Sequence, residues 1–205
     1  MKPLQRDDYA RAARTLARRD PVMRGLVGLH GPPPLGARVR SHFQSLARSI
    51  IYQQVSGKSA EATWHKLTDL VGGNVAADAI LTHADRLREA GLSGNKAASI
   101  LDLAMHVDRG DLSLRGLARR SDDDVLERLV AVRGIGPWTA HMFLLFQLRR
   151  PDVWPTGDYG VRKGWQNAYG GELPSPAQLE GHGEAFRPLR SVAAWYLWRA
   201  TEAVP

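Results

Sequence analysis

Apolar residues return every third or fourth position along nearly the whole of this 205-residue chain, and no stretch alternates apolar and polar residues with period two. That spacing puts the apolar side chains of each segment on one helical face. The chain must then build its core by packing helix on helix, and the fold class expected is all-α. The one extended piece, Val153-Trp154-Pro155, is too short and too limited by proline to serve as a sheet strand. Hydrophobic residues make up 43% of the chain, enough for a substantial core and too many for wholesale disorder.

Local signals punctuate the pattern. Leu4 to Arg19 is an amphipathic run with Asp7 and Asp8 in its first turn, where acids suit the helix dipole. Asp20 followed by Pro21 reads as an N-cap and first helical position, opening a helix to about Leu29. The run from Gly31 through three prolines to Gly36 is a rigid connector. Phe43, Leu46, Ala47, Ile50 and Ile51 mark a buried helix within Val39 to Gln54, and Ser56 can cap the next, which ends near Val71. Further helices are expected over Ala76 to Leu81, Asp85 to Ala90, Lys96 to Asp108 and Asp122 to Val132, the last capped by Ser121.

A formal charge of +7 suits a polyanionic partner, although many basic proteins bind nothing acidic. The absence of cysteine removes thiolate metal sites, iron–sulfur clusters, disulfides and a cysteine nucleophile. No apolar run approaches the ~20 residues that span a bilayer, and the charged stretch after Met1 lacks the apolar centre of a signal peptide. The expectation is a cytoplasmic protein, nucleoid-associated in a bacterium, with no membrane partner.

The most informative segment runs from Leu129 to Ala140. An apolar helix end meets Gly134-Ile135-Gly136, and a second helix follows through Phe146. The glycines permit positive φ and close backbone approach, Ile135 can plug the core beneath the turn, and Pro137 fits a first helical turn. Amides exposed at such a turn can seat a phosphate. An ordinary helical corner with a glycine cap is the plainer reading. Downstream, Pro155-Thr156-Gly157-Asp158 leads into a helix beginning at Tyr159, with Asp158 lying 22 positions beyond Gly136. Asp158 can act as the N-cap of that helix, and a chemical role is compatible with the cap.

Three segments together resemble the helix-hairpin-helix DNA glycosylase superfamily, and within it the alkylpurine branch of 3-methyladenine DNA glycosylase II type. They are Leu-x-x-Val-x-Gly-Ile-Gly-x-x-Thr-Ala from Leu129, the Pro155–Asp158 loop, and Ile50-Ile51-Tyr52-Gln53-Gln54-Val55-Ser56. The likeness extends from Val39 to Thr201. It implies that Gly134, Ile135 and Gly136, with Thr139 and Ser56, contact DNA. It also implies that the carbonyls of Val130, Val132 and Ile135 hold a monovalent cation, K⁺ or Na⁺, with no other cofactor. Asp158 becomes the catalytic carboxylate, Trp138, Trp198, Met142 and Gln53 line the base pocket, and Gln54 fills the gap left by an extruded nucleotide. Trp195 is equally explained as core.

The chemistry is consistent with those assignments. Breaking an N-glycosidic bond develops oxocarbenium charge, which a fixed carboxylate stabilises while it orients water. An N3- or N7-alkylated purine is already cationic and leaves readily. Stacking on a desolvated indole adds about 2 kcal/mol of cation–π attraction. Bifunctional relatives carry a Schiff-base lysine where this chain has Trp138, so base excision without strand cleavage is expected. Two departures stand out: Met142 replaces a pocket tyrosine of some relatives, and the N-terminal β-sheet domain of others has no counterpart.

The architecture expected is two helical lobes, residues 1–45 with 154–205 and residues 46–153, with the hairpin on the second and an active-site cleft between them. The partner would be double-stranded DNA containing alkylated bases, and the protein a monomer. Arg133, Arg149, Lys58 and Lys96 are candidate phosphate contacts, each equally explained as a solvated charge. The rival readings are a non-catalytic helix-hairpin-helix module that binds DNA structure, a glycosylase for deaminated, oxidised or ethenoadenine bases, and a bifunctional lyase.

Overall fold

Side-chain caps set most of the helix starts. In the computed structural model, which describes residues 3–35 and 40–202, Asp20 accepts from the amide of Met23, Ser41 from Gln44, Ser56 from Ser59, Ser93 from Lys96 and Ser121 from Asp124. Each satisfies an amide that has no acceptor within its own helix. Gly36 and Val39, the outer ends of the expected connector and of the helix after it, lie outside the described residues. Among the described residues there is no strand, and the chain is all-α.

The chain folds as two compact units, Met1–Ala37 with Leu144–Pro205, and Arg38–Phe143. The first begins with α1 (Arg6–Arg19) and α2 (Pro21–His30), which pack on each other. The second contains α3 (His42–Tyr52), α4 (Gly57–Leu70), α5 (Ala77–Thr82), α6 (Gly94–Asp108), α7 (Asp122–Val130) and α8 (Pro137–Met142). Ala84–Ala90 and Leu114–Arg119 wind as 3-10 turns. The chain then returns to the first unit with α9 (Tyr159–Tyr169), α10 (Pro176–Gly183) and α11 (Arg190–Arg199).

These breaks differ from those read in the sequence, for two physical reasons. Helix α3 packs against α4 and α6, so the whole of it belongs with the second unit. Residues 150–153 are tied to the start of α11. There Ser191 Oγ donates to the Arg150 carbonyl (2.6 Å) and accepts from the Val153 amide (2.8 Å), while buried Asp152 holds the Arg190 guanidinium at 2.9 Å.

Helix α11 is buried on every face from Arg190 to Leu197 and forms the centre of the first unit, with α1, α2 and α9 against it. Its approach to α9 is close enough that a Cβ on Gly164 would lie 1.9 Å from the Leu197 carbonyl oxygen. The sequence reading missed α10, although Ser175-Pro176-Ala177-Gln178 is a capping box with proline at the first helical position. Its second helix of the hairpin also stops early. Phe143–Gln147 winds as a π turn rather than continuing α8, a feature frequent at functional sites.

Candidate active site

Asp158 sits where a loop becomes a helix, and the loop is held at both ends. Upstream, Asp152 and Ser191 fasten it to α11, and the Trp154 indole N–H donates to the Leu179 carbonyl at 2.8 Å. Downstream, Asp158 is the N-cap of α9, its Oδ1 accepting from the Val161 amide at 2.7 Å. The same oxygen accepts from the indole N–H of Trp198, 2.8 Å away on α11. Two donors converging on one oxygen fix the rotamer and plane of a carboxylate that is only 8% exposed. Capping does not preclude a chemical role for the same carboxylate.

The setting of Trp198 requires a glycine in the first turn of α9. A Cβ on Gly160 would lie 2.8 Å from Trp198 Cδ1 and 3.0 Å from Asp158 Oδ1. A further neighbour of the indole is Phe146, on the π turn, with ring centroids 5.7 Å apart and planes 24° from parallel. Phe146 is 44% exposed and Tyr159, beside Asp158, is 65% exposed. The sequence reading assigned neither to the site. An aromatic next to a candidate carboxylate was the available signal for Tyr159, whereas nothing local marked Phe146. Trp195 is core, 8% exposed, under the guanidinium of Arg199.

The hairpin and the corner between α3 and α4 occupy the second unit. Gly134 turns the chain at φ 78°, and a Cβ there would lie 2.4 Å from Ser99 Oγ, so the turn rests directly on α6. The Arg133 amide donates to Asp102 of the same helix at 2.8 Å. Ile135, 3% exposed, plugs the core as expected, and its amide donates to the Val132 carbonyl at 3.1 Å. That amide is committed inside the turn. Gly136 behaves differently from the expectation that both glycines supply positive φ. Its φ of −89° and ψ of 173° are open to any residue, and among the described residues, its two chain neighbours aside, no atom lies within 4 Å of a Cβ placed on it. Nothing among the described residues requires glycine at 136, whereas close approach of an external group would.

Trp138, in the first turn of α8, is 50% exposed, and Met142 at the end of that helix is half-buried. Thr139 is buried at 3% and offers little surface to an external partner. Gln54 is exposed with φ 55°, a left-handed conformation uncommon outside glycine, and exposed Val55 follows it. Gln53 points inward, its Nε2 donating to the Gly134 carbonyl at 2.9 Å and lying 3.4 Å from Thr139 Oγ1. Ser56 is the cap of α4.

Among the candidate phosphate contacts, Lys58 is exposed and Arg149 is half-buried. Lys96 donates to the Ile51 carbonyl at 2.7 Å, and burial lowers its pKa. Behind the corner, Arg48 and Tyr52 both hydrogen-bond Glu61, which holds that carboxyl down at about 2.

The carbonyls of Val130, Val132 and Ile135 come from the end of α7 and the turn after it, where carbonyl groups outnumber the donors of the helix. Neutral, hard oxygens of this kind suit a monovalent cation better than a transition metal. No group of three or more His, Asp or Glu side chains fit to hold a metal occurs among the described residues. No helix among them is long and apolar enough to cross a membrane.

Comparison with known proteins places this arrangement. Residues 47–188 match the family described as HhH-GPD superfamily base excision DNA repair protein. The chain is 30% identical over 165 residues to DNA-3-methyladenine glycosylase 1 of Schizosaccharomyces pombe, covering 78% of this chain and 72% of that one. Its fold is similar to the crystal structure of a DNA-3-methyladenine glycosidase from Bacillus halodurans, with a TM-score of 0.83, 36% identity, and coverage of 92% of this chain and 88% of that one. It is also similar to a 3-methyladenine DNA glycosylase of Schizosaccharomyces pombe in complex with abasic DNA, with a TM-score of 0.75, 28% identity, and coverage of 92% and 95%. With the matched segment spanning the corner, the hairpin and the Asp158 loop, the chain belongs to the HhH-GPD superfamily of base excision DNA repair proteins.

Proposed function

We propose that the chain is a monofunctional DNA glycosylase that flips alkylated purines of the N3-methyladenine and N7-methylguanine class out of duplex DNA and hydrolyses their glycosidic bond. The observation that carries this reading is the Asp158 carboxylate, buried and fixed by donors from Val161 and Trp198 on one oxygen. A carboxylate oriented before substrate arrives stabilises oxocarbenium charge without reorganising. The C1′–N bond breaks with its electron pair going to the cationic base, which leaves neutral. Water then adds to C1′ and gives up its proton to the Asp158 carboxylate, which passes it to solvent. The names of the relatives support the alkylpurine class.

In this reading the half-exposed face of Trp138 stacks the cationic base, and Gln54 replaces it in the duplex. The hairpin holds the neighbouring strand through main-chain amides around Gly136, where a side chain is absent without internal cause. A K⁺ or Na⁺ held by the Val130, Val132 and Ile135 carbonyls would add positive charge facing the phosphate. Trp138 cannot form a Schiff base, so no strand cleavage follows excision. The protein works as a monomer.

The test is release of free base from duplex DNA containing N3-methyladenine. Asp158→Asn keeps a cap and an acceptor for both donors but removes the charge. Release by the wild type and not by this variant supports the reading, and borohydride should trap no protein on DNA. If the wild type releases no alkylated, deaminated or oxidised base, the chain is a non-catalytic DNA-binding module instead.

A further inference from the structure

We propose that Gln53, seconded by Lys96, is a positioning residue that fastens the α3–α4 corner to the glycine hairpin, so that insertion of Gln54 into the duplex and the grip of the hairpin on the strand are one coupled step. The roles of Gln54 and the hairpin rest on the glycosylase reading above. The coupling is carried by contacts within the second unit.

The corner is a tight reversal in which Gln54 takes the left-handed φ of 55° and Val55 is 43% exposed. A short exposed reversal of that kind has few contacts of its own to hold it. Two side chains supply what is missing. Gln53 Nε2 reaches across 81 residues of sequence to the Gly134 carbonyl at 2.9 Å, with Thr139 Oγ1 at 3.4 Å. Lys96 reaches across 45 residues to the Ile51 carbonyl at 2.7 Å, one of the last carbonyls of α3 that the helix itself leaves unpaired.

The Gly134 carbonyl and the Ile135 amide belong to one peptide plane. Its N–H end is held by the Val132 carbonyl at 3.1 Å and its C=O end by Gln53, so the plane is clamped at both ends. Helix α6 backs the whole assembly. Lys96 and Ser99 stand on it, Ser99 fills the space beneath Gly134, and Asp102 takes the Arg133 amide. Corner, α6 and hairpin therefore form one frame. A force on Gln54 is transmitted through the adjacent Gln53 to the peptide at the heart of the hairpin.

The experiment compares Gln53→Met, which keeps length and stem but has no N–H, with Gln54→Ala and the double variant. Binding is measured by anisotropy on a duplex with a tetrahydrofuran abasic analogue, and 2-aminopurine opposite the gap reports insertion. Gln53→Met should bind about tenfold more weakly, as expected for loss of amide hydrogen bonds. It should also lower the 2-aminopurine signal. Adding Gln54→Ala to it should cost less than twofold, although Gln54→Ala alone costs several-fold.

Gln53→Glu adds a readout that packing would not move. An ionised carboxylate opposes the Gly134 carbonyl, whereas a protonated one can donate to it. Affinity relative to wild type should therefore recover as pH falls toward ~5, near the ordinary carboxylate range. Wild-type affinity in Gln53→Met, additive losses in the double variant, or a flat pH profile for Gln53→Glu would each overturn the coupling. Should Gln53→Met fold poorly, the pH profile decides alone. Base release is scored in parallel: a wild type that excises nothing defeats the glycosylase reading, whereas excision unchanged by Gln53→Met defeats only the coupling.

Discussion

Gly160→Ala adds one methyl group in the first turn of α9 and should separate stability from activity. In an unhindered helix the change would stabilise by up to about 1 kcal/mol. Here the new Cβ would lie 2.8 Å from Trp198 Cδ1, 3.1 Å from its Nε1 and 3.0 Å from Asp158 Oδ1. Restoring ordinary carbon–carbon separation moves the indole by roughly 0.7 Å or more. Its N–H would then stand about 3.5 Å from Oδ1, at the limit of a hydrogen bond. Losing a hydrogen bond to a charged group costs about 1.5–3 kcal/mol, partly offset by the helix gain. The net change is therefore roughly 1–2 kcal/mol, a Tm shift of about 2–8 °C for a chain of this size. The excision rate should fall further, by about 10²-fold, because misplacement of a reacting group by about 1 Å costs that much. Single-turnover release of N7-methylguanine, with thermal melts alongside, gives both numbers. Trp198→Phe should slow release similarly, and the double variant should add little. A Gly160→Ala protein that excises at the wild-type rate, or one whose loss is explained by unfolding, would refute the reasoning.

The two hairpin glycines should respond oppositely. Gly134→Ala meets both a φ of 78° and Ser99 at 2.4 Å and should lose about 2–5 kcal/mol in urea titrations, whereas Gly136→Ala should fold normally and bind duplex DNA more weakly. Undiminished binding by Gly136→Ala would count against a phosphate at that turn. Glu61, held at about 2 by Arg48 and Tyr52, contributes stability that is complete above its unfolded pKa of ~4.3 and is lost as pH falls toward 2. The urea midpoints of wild type and Glu61→Gln should therefore converge over that interval, and a constant gap would contradict the ion pair's role. Asp152→Ala removes the nearest carboxylate from the 10%-exposed Arg190 side chain, leaving Glu180 at 3.4 Å, and should lower stability by about 1.5–3 kcal/mol. Arg187→Ala, at the exposed side of the same carboxylate, should shift the same melts much less.

Much of the chain could be read within windows of a few residues, because caps and helical periodicity act locally. Asp20, Ser41, Ser56, Ser93, Ser121 and Asp158 each accept the amide three positions on, so most helix starts, and the left-handed turn at Gly134, are written in neighbouring residues. The capping box at Ser175 is equally local. Contacts between distant segments are of another kind and exist only once the chain has folded. The Trp198 indole meets Asp158 across 40 residues, and Gln53 meets Gly134 across 81. The reasons for Gly160 and Gly164 belong with these, since each makes room for a side chain or backbone on α11. A glycine in a helix window looks only like a weak helix former. Whether it is empty space, as at Gly136, or the place where another segment touches depends on how the chain folds back, which no local propensity encodes.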